Sequence, residues 1–391
     1  MLGWIAAGLA VVLVITSLAA YLKFRSVWDS ITRVSVSGLG PQPPELTRAM
    51  NVLVIGSDSR AGPNQKFGSA ITGQRSDTII VLHIAPGKHG VIVLSIPRDS
   101  VVPILSCPPE QGSAGQAAQP GQVEQINATF ANGGPGCLFK TVEQTTQLHL
   151  NHFIELDFTG FEQVINDIGG VSICLPFAIN DPQSNLSLAP GRHHVYGREA
   201  LAYWRARYIG EGSDLQRILR DQYLMVSILQ GVEHSHLLTS PSRILPVVTD
   251  AARSMTTDTG LSLPTMIGMF DNLRGLPPGS VQFIELPTIA YPPNPNWVSW
   301  PASDTGLFSA IARDQAVHPT AKEAQRPAAP VALTASAQVS VGVVSGSGTK
   351  PAASPAPTSQ PGSLTGSNGG ITGSTNVCRD SAAFAGPRGG S

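Results

Sequence analysis

Three short apolar runs limit what this chain can fold into more than any other feature: residues 51–56 (NVLVIG), 78–84 (TIIVLHI) and 91–96 (VIVLSI). Each is rich in β-branched residues, has the length of a strand and is almost continuously hydrophobic, as a sheet covered on both faces requires. Charged residues stand only at the ends of these runs. Asp58 and Arg60 follow the first, Arg75 and Asp77 precede the second, and Arg98 and Asp99 follow the third. The segment 85–90 (APGKHG) is short enough for a hairpin turn, so the second and third strands are expected to pair antiparallel. That pairing sets Arg75 and Asp77 beside Arg98 and Asp99. If the first strand runs parallel to the third, Asp58 joins them at one sheet edge. Open α/β sheets commonly bind ligands outside the carboxyl ends of their strands, so acids and arginines gathered there read as a site rather than a solvated surface.

The chain has 391 residues, enough for one large domain with appendages. Its net charge is −1, so it lacks the bulk basicity of a nucleic-acid-binding protein, and no helix-turn-helix with a basic recognition face is visible. Arginines outnumber lysines, and the planar guanidinium suits bidentate recognition of phosphate. The four cysteines are Cys107, Cys137, Cys174 and Cys378. None has the CxxC spacing of a zinc site, and an even number in an exported protein fits disulfides. Cys107 and Cys137 flank a Gly/Gln/Pro-rich insertion and are expected to pair; Cys378 is left to pair with Cys174 or with another chain. The histidines, His193 and His194 included, show no metal-ligand spacing.

Residues 2–22 carry no charged side chain, close to the ~20 residues a helix needs to span hydrocarbon. A signal peptide would show an apolar core of only ~7–15 residues, a basic lead-in and a small-residue cleavage site. Residues 1–25 therefore read as an uncleaved transmembrane anchor. Lys23, Arg25 and Arg33 lie on its C-terminal side, which by the positive-inside rule alone argues for a cytoplasmic body.

Residues 26–48 read as an edge strand (ITRVSVSG) followed by a Pro-rich connector. Beyond the three apolar runs comes a polar insertion at 107–125. INATFAN and GGPG then lead into a helix-like stretch from about Leu138 to Leu148. HFIELDF reads as a further strand, Thr159 as the cap of the next helix, and Phe161, Val164, Ile165 and Ile168 as that helix's apolar face. Gly169 and Gly170 end it, and VSICL is a short strand. Alternating strands and helices argue an α/β or three-layer α/β/α architecture.

A second arginine cluster lies at 197–222 (GREALAYWRARYIGEGSDLQRILRDQ). Arg205 and Arg207 stand two apart at what reads as the extended end of a segment, so both can point to one side. Asp214 is a candidate N-cap for a helix on which Arg217 and Arg220 share a face. The bland alternative makes these snorkelling surface arginines paired with Glu211, Asp214 and Asp221.

The segments NVLVIGSDSR, QRSDTIIVLHI, VIVLSIPRDS, INATFANGGP and ALAYWRARY, the last followed by SDLQRILRDQ, resemble in order and spacing the LytR-CpsA-Psr family of cell-wall enzymes. High Ala, Gly, Pro and Arg with low Lys is also a composition of actinobacterial type. The motifs span residues 50–232. The resemblance implies a single-pass membrane protein with an extracytoplasmic three-layer α/β/α sandwich around a central mixed sheet at residues 49–314, and it overrules the charge bias at the anchor. A disordered Ala/Pro/Ser/Gly-rich tail is expected from 315 to 391.

The resemblance also implies an activity, the transfer of a glycopolymer from a polyprenyl-pyrophosphate carrier to peptidoglycan with formation of a phosphodiester. Asp58 and Asp77 are similar to the family's Mg²⁺-binding carboxylates, a site that Mn²⁺ also suits. Arg75, Arg98, Arg205, Arg207 and Arg217 are similar to its pyrophosphate-binding arginines, and Arg220 and Gln222 are placed with them. Arg98, Asp99 and Arg75 are the candidate catalytic residues, with a metal-bound water or Asp77 as alternative acceptor bases. The family usually has Gln four residues after the helix arginine, whereas this chain has Asp221 there. Either Gln222 supplies the amide or Asp221 turns away towards Arg220. An apolar tunnel for the polyprenyl tail is sought among Phe158, Phe161, Val164, Ile165 or the 215–229 stripe, with ordinary core packing as the default. Two other activities share these motifs: a polyprenyl-pyrophosphate phosphatase with water as acceptor, and a non-enzymatic membrane adaptor or transcription attenuator.

Overall fold

The computed structural model of the 391-residue chain describes residues 11, 14–18, 21–22, 25–36, 40–59, 62–67, 75–105, 107, 123–175, 177–206, 214–235, 247, 249–273, 276–294, 296–317 and 372. Its first strands are Thr32–Val34 (β1), Met50–Ser57 (β2), Ser76–Ile84 (β3), Val91–Ser95 (β4), Val101–Pro103 (β5) and Val123–Gln125 (β6). Helix Ile126–Thr146 (α1), strand His152–Asp157 (β7) and helix Phe158–Asp167 (α2) follow. The small strands Val171–Leu175 (β8), Ile179–Asp181 (β9), Leu186–Leu188 (β10) and Gly191–Val195 (β11) precede helices Gly197–Arg205 (α3) and Asp214–His234 (α4). Strand Met255–Asp258 (β12), helix Leu263–Leu273 (α5), strands Val281–Glu285 (β13), Ile289–Ala290 (β14) and Val298–Ser299 (β15), and helix Asp304–Ala312 (α6) complete the order.

Seven strands form one mixed sheet in the order β1-β12-β7-β2-β3-β4-β13. β3 is antiparallel to both β2 and β4. β7 is parallel to β2, and β13 is parallel to β4. The ends of β2, β4, β7 and β13 therefore share one edge with the start of β3, as expected for the first three runs.

The period-2 alternation of each strand sends its side chains to two different cores. On one face Leu53, Ile55, Ile79, Val81 and Leu94 pack with Phe130, Leu138, Phe139 and Val142 of α1 and with Phe308 and Ile311 of α6. On the other face Val52, Ile80, Val93 and Phe283 pack with Tyr223 and Val226 of α4 and Met269 of α5. Helices thus cover both faces, which is why the runs are continuously apolar. Each fully buried Leu, Ile or Phe contributes about 1.5–3 kcal/mol. A third core, including Ile165, Val171, Ile173, Val195, Ala200 and Leu224, joins α2, α3 and α4 to β8 and β11.

Two helix assignments differ from expectation. Helix α1 starts at Ile126, not near Leu138, because it is two helical segments joined across Gly134 (φ 68°, ψ −168°). That conformation is open to glycine, and Pro135 then fits the first turn of the second segment. The cap of α2 is Asp157, whose side chain accepts from Gly160 N at 2.8 Å. Thr159 instead donates its hydroxyl to Asn64 Oδ1 at 2.8 Å.

Buried charges are compensated locally. Glu143, on α1, is fully buried and accepts from Lys140 Nζ at 2.7 Å, Gln42 Nε2 at 3.0 Å and Leu150 N at 3.1 Å. This carboxylate ties the Pro-rich connector to the core. Asp258, buried at the far sheet edge, accepts from His152 Nδ1 at 3.1 Å, Phe153 N at 3.1 Å and Gly260 N at 2.8 Å. Burial pushes its carboxyl up, but these hydrogen bonds and the His152 charge outweigh burial and hold it below its ordinary value.

Cys107 and Cys137 are disulfide-bonded, as expected, with Cα atoms 5.8 Å apart. Cys174 is also disulfide-bonded, and Cys378 lies outside the described residues. Most of the expected anchor and most of the expected tail lie outside them too. Among the described residues no helix is long and apolar enough to cross a membrane. Val317 is buried, its carbonyl accepts from Gln282 Nε2 at 3.1 Å, and Thr372 forms an antiparallel bridge with Gln282 on β13.

The Cys107–Cys137 bond spans 30 residues, which corresponds to about 3.6 kcal/mol of chain entropy. Replacing both cysteines by alanine should lower the calorimetric melting midpoint by roughly 10 °C. Asp258 gives a pH-dependent counterpart. Its folded pKa lies below its unfolded one, so its stabilisation is complete above the unfolded value and is lost as pH falls through the folded value. Asp258→Asn should melt earlier than wild type at pH 7, with the gap closing below about pH 4.

Candidate active site

The shared sheet edge is shaped first by an interruption of strand pairing. Gly56 faces Thr78 and Ser57 faces Ser76, which leaves Asp77 as the extra residue of a β-bulge. A bulge re-aims a side chain and ends regular pairing. Just beyond it, Asp58 N donates to Arg75 O at 3.0 Å and Arg75 N donates to Asp58 Oδ1 at 2.6 Å. Asp58 and Asp77 thus stand on neighbouring strands at the sheet's end.

After β4 the chain turns at Pro97 and closes with Ser100 N donating to Pro97 O at 3.0 Å. This turn abuts the start of α1, where Ile126 N donates to Ser100 O at 2.7 Å and Asn127 N to Arg98 O at 3.3 Å. Helix N–H groups that lack an intrahelical partner thereby fix the turn's backbone. The half-buried Arg98 donates from Nη1 to Asp77 Oδ1, and its Nε faces Asp99 Oδ2 at 3.6 Å. Asp99 is oriented from the other side by Gln125 Nε2, at 2.8 Å from Oδ1.

Asp157 ends β7 beside Ser57. Both its oxygens are engaged, one by Gly160 N and one by Asn64 Nδ2 at 2.9 Å. Asn64 is buried and also accepts from Thr159 N at 3.0 Å, so it pins the turn at Gly62–Phe67 against α2. Phe67 meets Phe158 edge to face, with ring centres 5.5 Å apart. Over the same Phe158 ring lies the Arg205 guanidinium at 4.9 Å, a cation–π contact.

Arg205 is the last residue of α3 rather than part of an extended segment, and the extended backbone begins at Ala206. Arg220 is not a snorkelling surface arginine. It is only 5 % exposed, and its guanidinium lies 5.6 Å from the Tyr203 ring centre. Its polar contacts are long: 3.4 Å to Trp204 O and 3.5 Å to Asp221. Asp221 therefore engages Arg220, one of the two expected alternatives, while Gln222 is buried. Burial pushes the Tyr203 phenol well above its ordinary value, with Arg220 pulling it down and Asp221 pushing it up, so it stays a neutral hydroxyl.

Nε of Arg98 and Nε of Arg220 are both buried with no hydrogen-bond partner among the described residues. A buried cation such as Arg220, held only by long polar contacts, is costly unless an anion completes it. The spare Nε donor of Arg98 therefore fits an anionic group at this edge. Asp77 meets only Arg98, through Oδ1, among the described residues. If a divalent cation bound here, Asp58 and Asp77 are the carboxylates that would hold it, a donor chemistry that suits a hard cation. Among the described residues no group of three or more His, Cys, Asp or Glu is placed to hold a metal by itself.

The structure thus brings Asp58, Arg75, Asp77, Arg98 and Asp99 to one edge, with Arg205 reaching Phe158 directly after β7. Arg60 and Arg207 lie outside the described residues, as does the side chain of Arg217 on α4. Of the tunnel candidates, Ile165 is buried in the third core and Phe161 packs edge to face on Trp204 at 4.9 Å. Sequence reasoning missed Asn64, Asp157, Gln125 and the platform role of Phe158. Asp157 had a signal, an Asp directly before an amphipathic helix. Asn64 and Gln125 had none, because their partners stand 93 and 26 residues away.

The family model described as LytR_cpsA_psr matches residues 25–300. The chain is 32% identical over 264 residues to the Corynebacterium glutamicum "Probable cell wall biosynthesis protein LcpB", covering 66% of this chain and 58% of that protein. It is 27% identical over 244 residues to the Bacillus subtilis "Polyisoprenyl-teichoic acid--peptidoglycan teichoic acid transferase TagV", covering 59% of this chain and 58% of that one. The chain thus spans somewhat more than half the length of these two curated relatives. The fold matches the solved structure of a "LytR-Csp2A-Psr enzyme from Actinomyces oris" with a TM-score of 0.54 and 20% identity, over 72% of this chain and 96% of that one. With its motifs, its sheet edge and a family match across most of its length, the chain belongs to the LytR_cpsA_psr family.

Proposed function

We propose that the protein is a glycopolymer–peptidoglycan phosphotransferase that takes its substrate from a polyprenyl-pyrophosphate carrier. The observation that carries this reading is the gathering of Asp58, Arg75, Asp77, Arg98 and Asp99 at one bulged sheet edge, where Arg98 keeps a buried Nε that makes no hydrogen bond among the described residues. The names of LcpB and TagV support a cell-wall role of this type. Arg75, Arg98, Arg205 and Arg220 neutralise the pyrophosphate, with Arg207, Arg217 and Gln222 assigned to the same task. Guanidinium forks suit phosphate oxygens and stabilise charge on the departing group.

The reaction is an in-line displacement. A sugar hydroxyl of peptidoglycan attacks the phosphorus that bears the glycopolymer, and its proton passes to the Asp99 carboxylate. The bond from that phosphorus to the bridging oxygen breaks, and polyprenyl phosphate leaves with the electron pair. Gln125 and Arg98 hold Asp99 in place for this step. Asp58 and Asp77 would hold Mg²⁺ or Mn²⁺, which when bound supplies charge neutralisation at the pyrophosphate oxygens. Such chemistry needs little beyond positioning and electrostatics.

The same reading sets the protein at the cell membrane, single-pass, with its catalytic domain outside. Val14, Ile15, Leu18 and Leu22 are apolar, helical and exposed, which supports an anchor. The disulfides at Cys107–Cys137 and Cys174 support an oxidising compartment.

The test is transfer of a labelled lipid-linked glycopolymer to peptidoglycan by the full chain in detergent. Arg98→Ala and Asp77→Ala should each reduce transfer by about 10²–10³-fold with unchanged circular dichroism; full activity in both would sink the proposal. Chelation with EDTA should abolish transfer and added Mg²⁺ should restore it. Release of free glycopolymer phosphate, unaltered by peptidoglycan, would identify a phosphatase instead.

A further inference from the structure

The edge that carries Asp99 also carries a hairpin with no part in the reaction above. β14 and β15 pair antiparallel, Ile289 with Ser299 and Ala290 with Val298. The connecting turn is closed by Tyr291 N to Trp297 O at 3.1 Å and by Trp297 N to Asn294 O at 3.0 Å. Across it the Tyr291 and Trp297 rings lie nearly parallel, 6.1 Å apart and inclined by 26°. Both rings are half-buried rather than buried, and Ile289 beside them is 48 % exposed. The hairpin is fastened to the candidate catalytic turn. Val298 N donates to Asp99 O at 3.2 Å, and Val298 forms a parallel bridge with Ser100. Trp297 is therefore one residue from a direct backbone contact with Asp99.

We propose that Tyr291 and Trp297 form a stacking platform for a sugar ring of the acceptor glycan. The C–H face of a pyranose is apolar and weakly positive, which complements the negative face of an aromatic ring. The exposed Asn296 at the same turn offers an amide to sugar hydroxyls. The order of the sheet selects the acceptor over the carrier. Arg205 reaches the edge over Phe158, directly after β7, whereas Asp99 follows β4, with β2 and β3 between them. Arg205 thus approaches from the β7 side, and the hairpin stands on the β4 side, behind Arg98 and the residue that takes the acceptor's proton. The identity of the occupant as acceptor rests on the transferase reading; sugar binding itself does not.

Calorimetric titration of the full chain in detergent with soluble, uncrosslinked peptidoglycan glycan strands, without carrier lipid, tests the platform. Wild type should bind. Trp297→Ala and Tyr291→Ala should each weaken binding about tenfold, equivalent to about 1.4 kcal/mol, while Trp297→Phe keeps most of the affinity. In the transfer assay the same alanine variants should raise the KM for acceptor by a similar factor and leave the KM for carrier and kcat unchanged. Absence of binding by wild type, or equal binding by wild type and both well-folded alanine variants, overturns the proposal, and so does a rise confined to the carrier's KM. If no acceptor is ever modified, the transferase reading fails while the titration still decides the platform.

Discussion

The position of β3 between two antiparallel neighbours is the constraint on which the site depends. A strand that starts where its neighbours end brings residues from three distant stretches of chain to one line. Here those residues are Asp58, Arg75, Asp77, Arg98 and Asp99, and no loop has to travel to gather them. The bulge at Asp77 uses the same pairing. It sacrifices one regular ladder step at the sheet's end, where such a loss is least costly, and it re-aims one carboxylate towards Arg98.

The candidate arginines differ in how they are held. Arg98 is committed to Asp77 and leans on Asp99, so it is a compensated cation with one donor in reserve. Arg205 rests on an aromatic face, which orients the guanidinium without consuming its N–H groups. Arg220 is the deepest, buried against Tyr203 with only long polar contacts. Such a gradation suits an anion that arrives and departs, because a site fully neutralised by its own carboxylates has little to offer a phosphate.

Much of this was legible in the sequence. Strand runs, their directions and the residues at their ends follow from apolar length and a short turn, both local signals. The Cys107–Cys137 bond followed from the insertion it closes. In α1 the sequence misleads, because Gly134 and Pro135 look like a terminus, whereas they join two helical segments across a kink. The N-cap of α2 was misplaced by two residues, since Thr and Asp are both good caps and only the backbone geometry distinguishes them. The burial of Arg220 is not legible in the sequence, because it comes from tertiary packing of α3 on α4, which periodicity does not report. Asn64 and Gln125 were invisible for the same reason: single amides whose value lies in partners far along the chain.

The bridge between Thr372 and Gln282 has a consequence of another kind. A seven-stranded open sheet has two edges, and an uncovered edge offers unpaired N–H and C=O groups as a template for other chains. β1, at one edge, is only three residues long and so presents little of that template. β13, at the other, has five residues, and the carbonyl of Val317 and the backbone of Thr372 both meet it at Gln282. A stretch of chain far from the candidate active site thus helps to keep neighbouring copies from adding their own strands to the sheet.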